Sequence, residues 1–246
     1  MEGQSLSTWL AITGVFCGAG VLRGFTGFGF ALVAVPFGAL WIAPDILLPV
    51  VFLLHIYMGV FEVRSAVRSC HGPSMLWLIV GGALGTPIGV YALVIMPLKA
   101  VYIVIGSIVL ASIVLLLLKP STRRFPLGFS AIAGVFSGIF NGMAAMPGPP
   151  AIFYFMRGGF SNAETRSSLI LFFFVTAVYA IMATIYVGLL SADEIFLSLV
   201  VFPIIALSTW MGAGLFRRYG QKWYRVVGAS SLISAAIAAF AKALSL

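Results

Sequence analysis

Hydrophobic positions fall into ten long runs, roughly 6–22, 25–42, 46–61, 74–96, 100–118, 127–140, 147–160, 167–188, 195–216 and 224–244. Charged residues sit mostly in the short links between them. Runs of this length and apolarity predict helices that enter or cross a bilayer, whose hydrocarbon core is about 30 Å thick. The expected fold class is all-α: a polytopic helical membrane protein whose main surroundings are the lipid bilayer.

Composition sharpens that reading. The chain has 246 residues, of which 62% are hydrophobic and 8% charged, and its mean hydropathy is +1.15. A soluble domain would carry about a quarter charged residues. No hydrophilic domain interrupts the pattern. The first run lacks a basic leader and a small-residue cleavage site, so it reads as mature chain. The net charge of +8 resides in loops of a membrane protein, not in a soluble basic element, which argues against nucleic-acid binding. Cys17 and Cys70 lack metal-ligand spacing and read as packing and incidental residues.

The second half of the chain echoes the first. "ITGVFCG" at 12–18 returns as "IAGVFSG" at 132–138, an offset of 120. Broken stretches follow in both places, "GVLRGFTGFGF" (20–30) and "GIFNGMAAMPGPP" (138–150), and "PDILLPVVFLL" (44–54) pairs with "AETRSSLILFF" (163–173). Three matches in order point to a duplication, with repeats over 1–118 and 119–246. Five segments per copy would invert the second copy relative to the first. The basic residues agree: Arg64, Arg68, Lys119, Arg123, Arg124, Arg157, Arg166, Arg217, Arg218, Lys222 and Arg225 all follow odd-numbered segments 3 to 9. Only Lys99 and Lys242 are assigned to the opposite face, with Glu2, Asp45, Asp193 and Glu194. That is a positive-inside pattern in an inner cell membrane, with both termini on the non-cytoplasmic side.

Segments 1 and 2, and 6 and 7, form hairpins whose turns are the broken stretches. The run Phe129 to Phe140 gives a helix of only about 18 Å at 1.5 Å per residue. Short limbs favour turns at membrane depth over surface loops, and non-helical backbone survives there only inside protein or beside a wet cavity. Pro147, Gly148, Pro149 and Pro150 make a rigid stretch that opens the next helix. "GFTGFGF" leaves backbone amides free before segment 2. Two helix N-termini would then present N–H donors and partial positive charge to a small oxyanion. The candidate substrate-binding residues are Arg23, Gly24, Thr26, Gly27, Gly29, Asn141, Gly142, Pro147, Gly148 and Pro149. Arg23 is the one charged residue in either turn, and an intramembrane arginine normally faces a partner or a water-filled path. The competing reading is an arginine snorkelling from a shallow loop.

Other features read more plainly. Gly14/Gly18, Gly85/Gly89 and Gly134/Gly138 have the spacing of close helix contacts. Pro36, Pro87 and Pro203 fall inside segments and are expected to kink them. His55 is the candidate for proton coupling; its other reading is a hydrogen-bonded packing residue. Glu62, seven positions later on the same face, is expected to pair with Arg64 and Arg68 at the helix end. There is no HExxH, no nucleophile elbow and no pair of membrane aspartates, so neither an enzyme nor a metal or other cofactor is expected.

The glycine pattern resembles the TauE/SafE family of sulfite and organosulfonate exporters. That family carries a motif close to G-x-x-x-G-x-x-G-x-G-G-G-P in its second repeat. Its counterpart here is Gly134, Gly138 and Gly142, then "MPGPPAIFYF" and "GGFSNAETRSS", with "GFTGFGFALVAVP" in the first copy. The glycine triplet is replaced by "GFGF" and "PGPP". The resemblance implies a transporter, usually an exporter, of small sulfur-containing anions such as sulfite, thiosulfate or short organosulfonates. A passive anion channel of the same architecture is the alternative.

Overall fold

The structure is a computed structural model that describes residues 6–26, 29–117 and 125–245. Among these residues it contains nine helices and no strand: α1 (Leu6–Thr26), α2 (Phe30–Gly38), α3 (Pro44–Ser69), α4 (Gly72–Ile95), α5 (Leu98–Leu117), α6 (Leu127–Ala144), α7 (Gly148–Arg157), α8 (Asn162–Tyr186) and α9 (Ala192–Leu244). Five contain stretches long and apolar enough to cross a membrane: Pro44–Ser69, Gly72–Ile95, Leu127–Ala144, Glu164–Tyr186 and Ala192–Tyr219. The chain is a multi-pass helical membrane protein.

Local chemistry sets most boundaries. Pro44 opens α3, with Asp45 in its first turn and Arg68 in its last, each complementing the helix dipole. α8 and α9 begin with capping boxes, Ser161 with Glu164 and Ser191 with Glu194. α6 ends at Ala144 because Ala145 turns left-handed (φ 54°, ψ 26°) and Pro147 follows.

Three boundaries differ from the sequence reading. The limb expected over Phe129–Phe140 is an 18-residue helix, about 27 Å long, that runs through Asn141 and Gly142. Neither residue forbids a helix, so the break comes only at Ala145–Pro147. The short limbs are instead α2 and α7, of 9 and 10 residues, each about half the depth of the hydrocarbon core. Finally, runs 9 and 10 lie in one helix, Ala192–Leu244. The basic link between them contains one glycine and no proline, so charge interrupts the apolar run without ending the helix.

Two helix pairs approach closely through glycines. A methyl added to Gly85 of α4 would strike the Val135 carbonyl of α6, and one on Gly138 of α6 would lie 2.6 Å from the Gly82 carbonyl of α4. On α1, a methyl on Gly24 would strike the Thr209 carbonyl of α9. The predicted contacts at Gly85/Gly89 and Gly134/Gly138 are therefore present. Gly14 and Gly18 are not contacts: both face open space, and the row of α1 that meets α9 is Gly20 and Gly24. In both pairs the contacts advance in the same direction along the two helices, so α4 runs parallel to α6 and α1 to the first part of α9.

Candidate functional site

The beginnings of the two short helices line one cleft. Gly29, Phe30, Ala31 and Leu32 border it from α2, and Met146, Pro147, Gly148 and Ile152 from α7; Arg23, His55 and Phe173 complete the wall. It is partly open, and its enclosed volume is small, about 20 Å³. His55 and Phe173 lie about halfway along α3 and α8, so the cleft sits near mid-length of the two long helices that flank it.

Each short helix is held at its far end. The Tyr102 hydroxyl donates to the Ala39 carbonyl just beyond α2, at 2.6 Å. Tyr154 of α7 shares a 2.8 Å hydrogen bond with Ser74, whose hydroxyl also meets His71 Nδ1 at 2.8 Å. At the cleft end, neither α2 nor α7 has a side-chain cap. Gly29 adopts φ 100°, a conformation that favours glycine, to turn the chain into α2. The first four residues of α2, Phe30 to Val33, all carry an N–H, and helix geometry leaves such donors without intrahelical partners. In α7, Pro149 and Pro150 have none. The α2 start is therefore the donor-rich wall and the α7 start the rigid one.

Arg23 lies in the last turn of α1, where the helix dipole favours a cation. Its side chain is 6% exposed, and Nη2 donates to Glu62 Oε2 of α3 at 2.5 Å. This corrects one expectation and decides between two readings of Arg23. Glu62 does not pair with Arg64 or Arg68, which are exposed, because its carboxylate turns to α1. Arg23 is a buried, ion-paired group, not an arginine snorkelling from a loop.

The remaining candidates divide. Gly29, Pro147, Gly148, His55 and Arg23 border the cleft. Gly24 is packed on α9, and Gly142 on α4 against Thr86 and Val90. Asn141 is buried and donates from Nδ2 to the Thr176 carbonyl of α8 at 2.9 Å. Pro149 is buried in the first turn of α7, one residue from the lining. Thr26 closes α1, but its side chain and Gly27 lie outside the described residues. Gly24, Asn141 and Gly142 thus serve helix contacts, because the helices continue past the points where breaks were expected.

His55 is buried between Phe30 and Phe173, with ring centroids at 5.4 and 6.4 Å. Nδ1 lies 3.0 Å from the Val51 carbonyl; a carbonyl only accepts, so Nδ1 carries the hydrogen. Sequence reasoning missed the apolar wall of Phe30, Met146, Ile152 and Phe173. The nearest signal is the echo between 44–54 and 163–173, which ends on Leu54 and Phe173 and, one residue on, pairs His55 with Phe174. A cleft with apolar walls, one guanidinium and one donor-rich helix start suits a small anion with an apolar remainder.

Comparison with known proteins is in keeping with that chemistry. A curated protein of Cupriavidus necator, named a probable sulfite/organosulfonate exporter TauE, is 30% identical over 112 residues. That alignment covers 45% of this chain and 44% of the relative, so the chain matches less than half of that protein's length. No solved structure matches the chain. The model of the sulfite exporter TauE/SafE family matches residues 10–239, nearly the whole chain, and the protein therefore belongs to this family of membrane transporters, not to an enzyme family.

Proposed function

We propose that the protein carries a small sulfur-containing anion outward across the inner cell membrane: sulfite, thiosulfate or a short organosulfonate. The observation that carries this reading is a single cleft bordered by both helix breaks and by a buried arginine. A sulfonate or sulfite presents a compact set of oxygens. The guanidinium fork of Arg23 can give them two parallel hydrogen bonds, and the N–H groups opening α2 add further donors. Pro147, Gly148 and Pro149 hold the opposite wall in place, and Phe30, Ile152 and Phe173 take the organic part of a sulfonate. The family and the relative's name support the choice of sulfur oxyanions and of export.

The same proposal includes two inverted repeats, 1–118 and 119–246, with the N-terminus on the non-cytoplasmic side; a C-terminus on that side requires the chain to turn back between runs 9 and 10, whereas α9 runs as one helix to Leu244. Under such a repeat the first segment of each copy corresponds to the other. The pair α1–α9 then corresponds to α6–α4, and both pairs run parallel with glycines at the contact. Rocking of these pairs about the cleft would give alternating access.

Purified protein should bind sulfite, thiosulfate and short alkanesulfonates in preference to carboxylates of equal length, and proteoliposomes should show saturable counterflow of the bound anion. Preference for carboxylates would overturn the substrate class. Flux that neither saturates nor exchanges would make the protein a channel.

A further inference from the structure

Glu62 has no structural duty of the kind that explains the other carboxylates. Among the described residues, Asp45, Glu164, Asp193 and Glu194 all lie in the first turns of helices, where they complement the dipole or cap the chain. Glu62 lies in the C-terminal half of α3, and Arg23–Glu62 is the one salt bridge found among the described residues. The two ends of this pair differ in access. Arg23 is 6% exposed and borders the cleft, whereas the Glu62 side chain is 34% exposed. The carboxylate is the more accessible end, while the guanidinium is committed either to that carboxylate or to whatever occupies the cleft.

We propose that Glu62 is a proton-binding site of the transporter, and that its protonation releases Arg23 to the substrate anion. The proposal rests on the reading that Arg23 holds the anion. With Glu62 ionised, an anion in the cleft must share the guanidinium with a second negative charge close by. A proton delivered to a Glu62 oxygen removes that charge and weakens the Nη2–H···Oε2 bond, and the donor turns to the sulfonate oxygens. By linkage, anion binding must then draw a proton onto the protein. The loaded state carries one anion and one proton, so its transit is electroneutral; an inward proton gradient then opposes export, which must be driven by an outward gradient of the anion.

Few other groups compete for this role. On α3 these are His55, at the cleft, and Tyr57, whose hydroxyl meets Ser198 of α9 at 3.2 Å. Arg64 and Arg68 on α3, Arg166 on α8, and Arg217 and Arg218 on α9 are exposed, and arginine stays protonated throughout. His55 is therefore the rival to exclude.

The test uses the full chain in lipid nanodiscs and ethanesulfonate, which keeps a single charge across the measured range of about pH 5 to pH 8. Wild-type affinity should fall with rising pH, approaching about tenfold per unit where one proton is fully linked, and binding in weak buffer should take up protons. Glu62→Gln, a mimic of the neutral acid, should bind at least about tenfold tighter than wild type at pH 8 and take up none. Glu62→Asp, which keeps a carboxylate, should retain uptake. Undiminished uptake in a folded Glu62→Gln protein, or uptake that vanishes only in His55→Gln, would overturn the proposal. If Arg23→Ala loses binding while Glu62→Gln keeps wild-type pH dependence, only the coupling fails. If Arg23→Ala binds like wild type, the reading beneath it fails as well.

Discussion

Asn141 of α6 donates its side-chain amide to the main-chain carbonyl of Thr176 on α8, 35 positions away, at 2.9 Å in the buried core. The residue that looks like a helix breaker in the sequence is in fact a brace between two long helices. Asn141→Ala should lower stability by about 1 kcal/mol, the usual net worth of such a bond. Asn141→Asp should cost more, because a carboxylate would face a carbonyl. Thermal unfolding in detergent measures both. Anion affinity in the folded Asn141→Ala protein should stay within about threefold of wild type; a larger loss would return Asn141 to the binding site.

The glycine rows make a prediction with an internal control. Gly85→Ala and Gly24→Ala would place a methyl against a backbone carbonyl of the neighbouring helix, which cannot give way as a side chain does. Both should destabilise by about 1–3 kcal/mol. Gly14→Ala and Gly18→Ala meet open space and should be neutral or gain up to about 1 kcal/mol from helix propensity. Equal loss at all four positions would mean that the α1 row is assigned wrongly.

The inverted arrangement predicts which face each link occupies. In a background lacking Cys17 and Cys70, single cysteines replacing the exposed Asp45 and Asp193 should react with an impermeant thiol reagent from outside the cell. Cysteines replacing the exposed Arg68 and Arg166 should react only after permeabilisation. External labelling at both Asp193 and Arg166 would contradict the topology.

Much of this architecture was legible because lipid imposes simple rules. Apolar runs gave helices, and prolines and glycines marked the openings of α2 and α7 at Gly29–Phe30 and Pro147–Gly148. What stayed hidden depends on contacts between distant elements. Asn141 and Gly142 are tolerated within a helix when α8 and α4 pack on them, so local propensity misplaced the break by several residues. Gly14/Gly18 and Gly20/Gly24 share one spacing, and only the position of α9 tells which row is a contact. Glu62 stands near Arg64 and Arg68 in sequence, yet pairs with Arg23, because a buried arginine needs a partner more than an exposed one does.

Arg23 carries the central claim, and binding of ethanesulfonate to its variants in nanodiscs tests that claim most directly. Arg23→Lys keeps the charge but not the planar fork and should weaken binding; Arg23→Ala should weaken it by roughly 30- to 5,000-fold, the range expected for losing a buried charge partner. Gly148→Val leaves the charge intact and should also impair binding, because a Cβ there already comes within 3.2 Å of Ile152 Cδ1 and a branched side chain would intrude on the wall. Arg23→Ala and Gly148→Val proteins that fold and bind ethanesulfonate with wild-type affinity would show that the anion is held elsewhere.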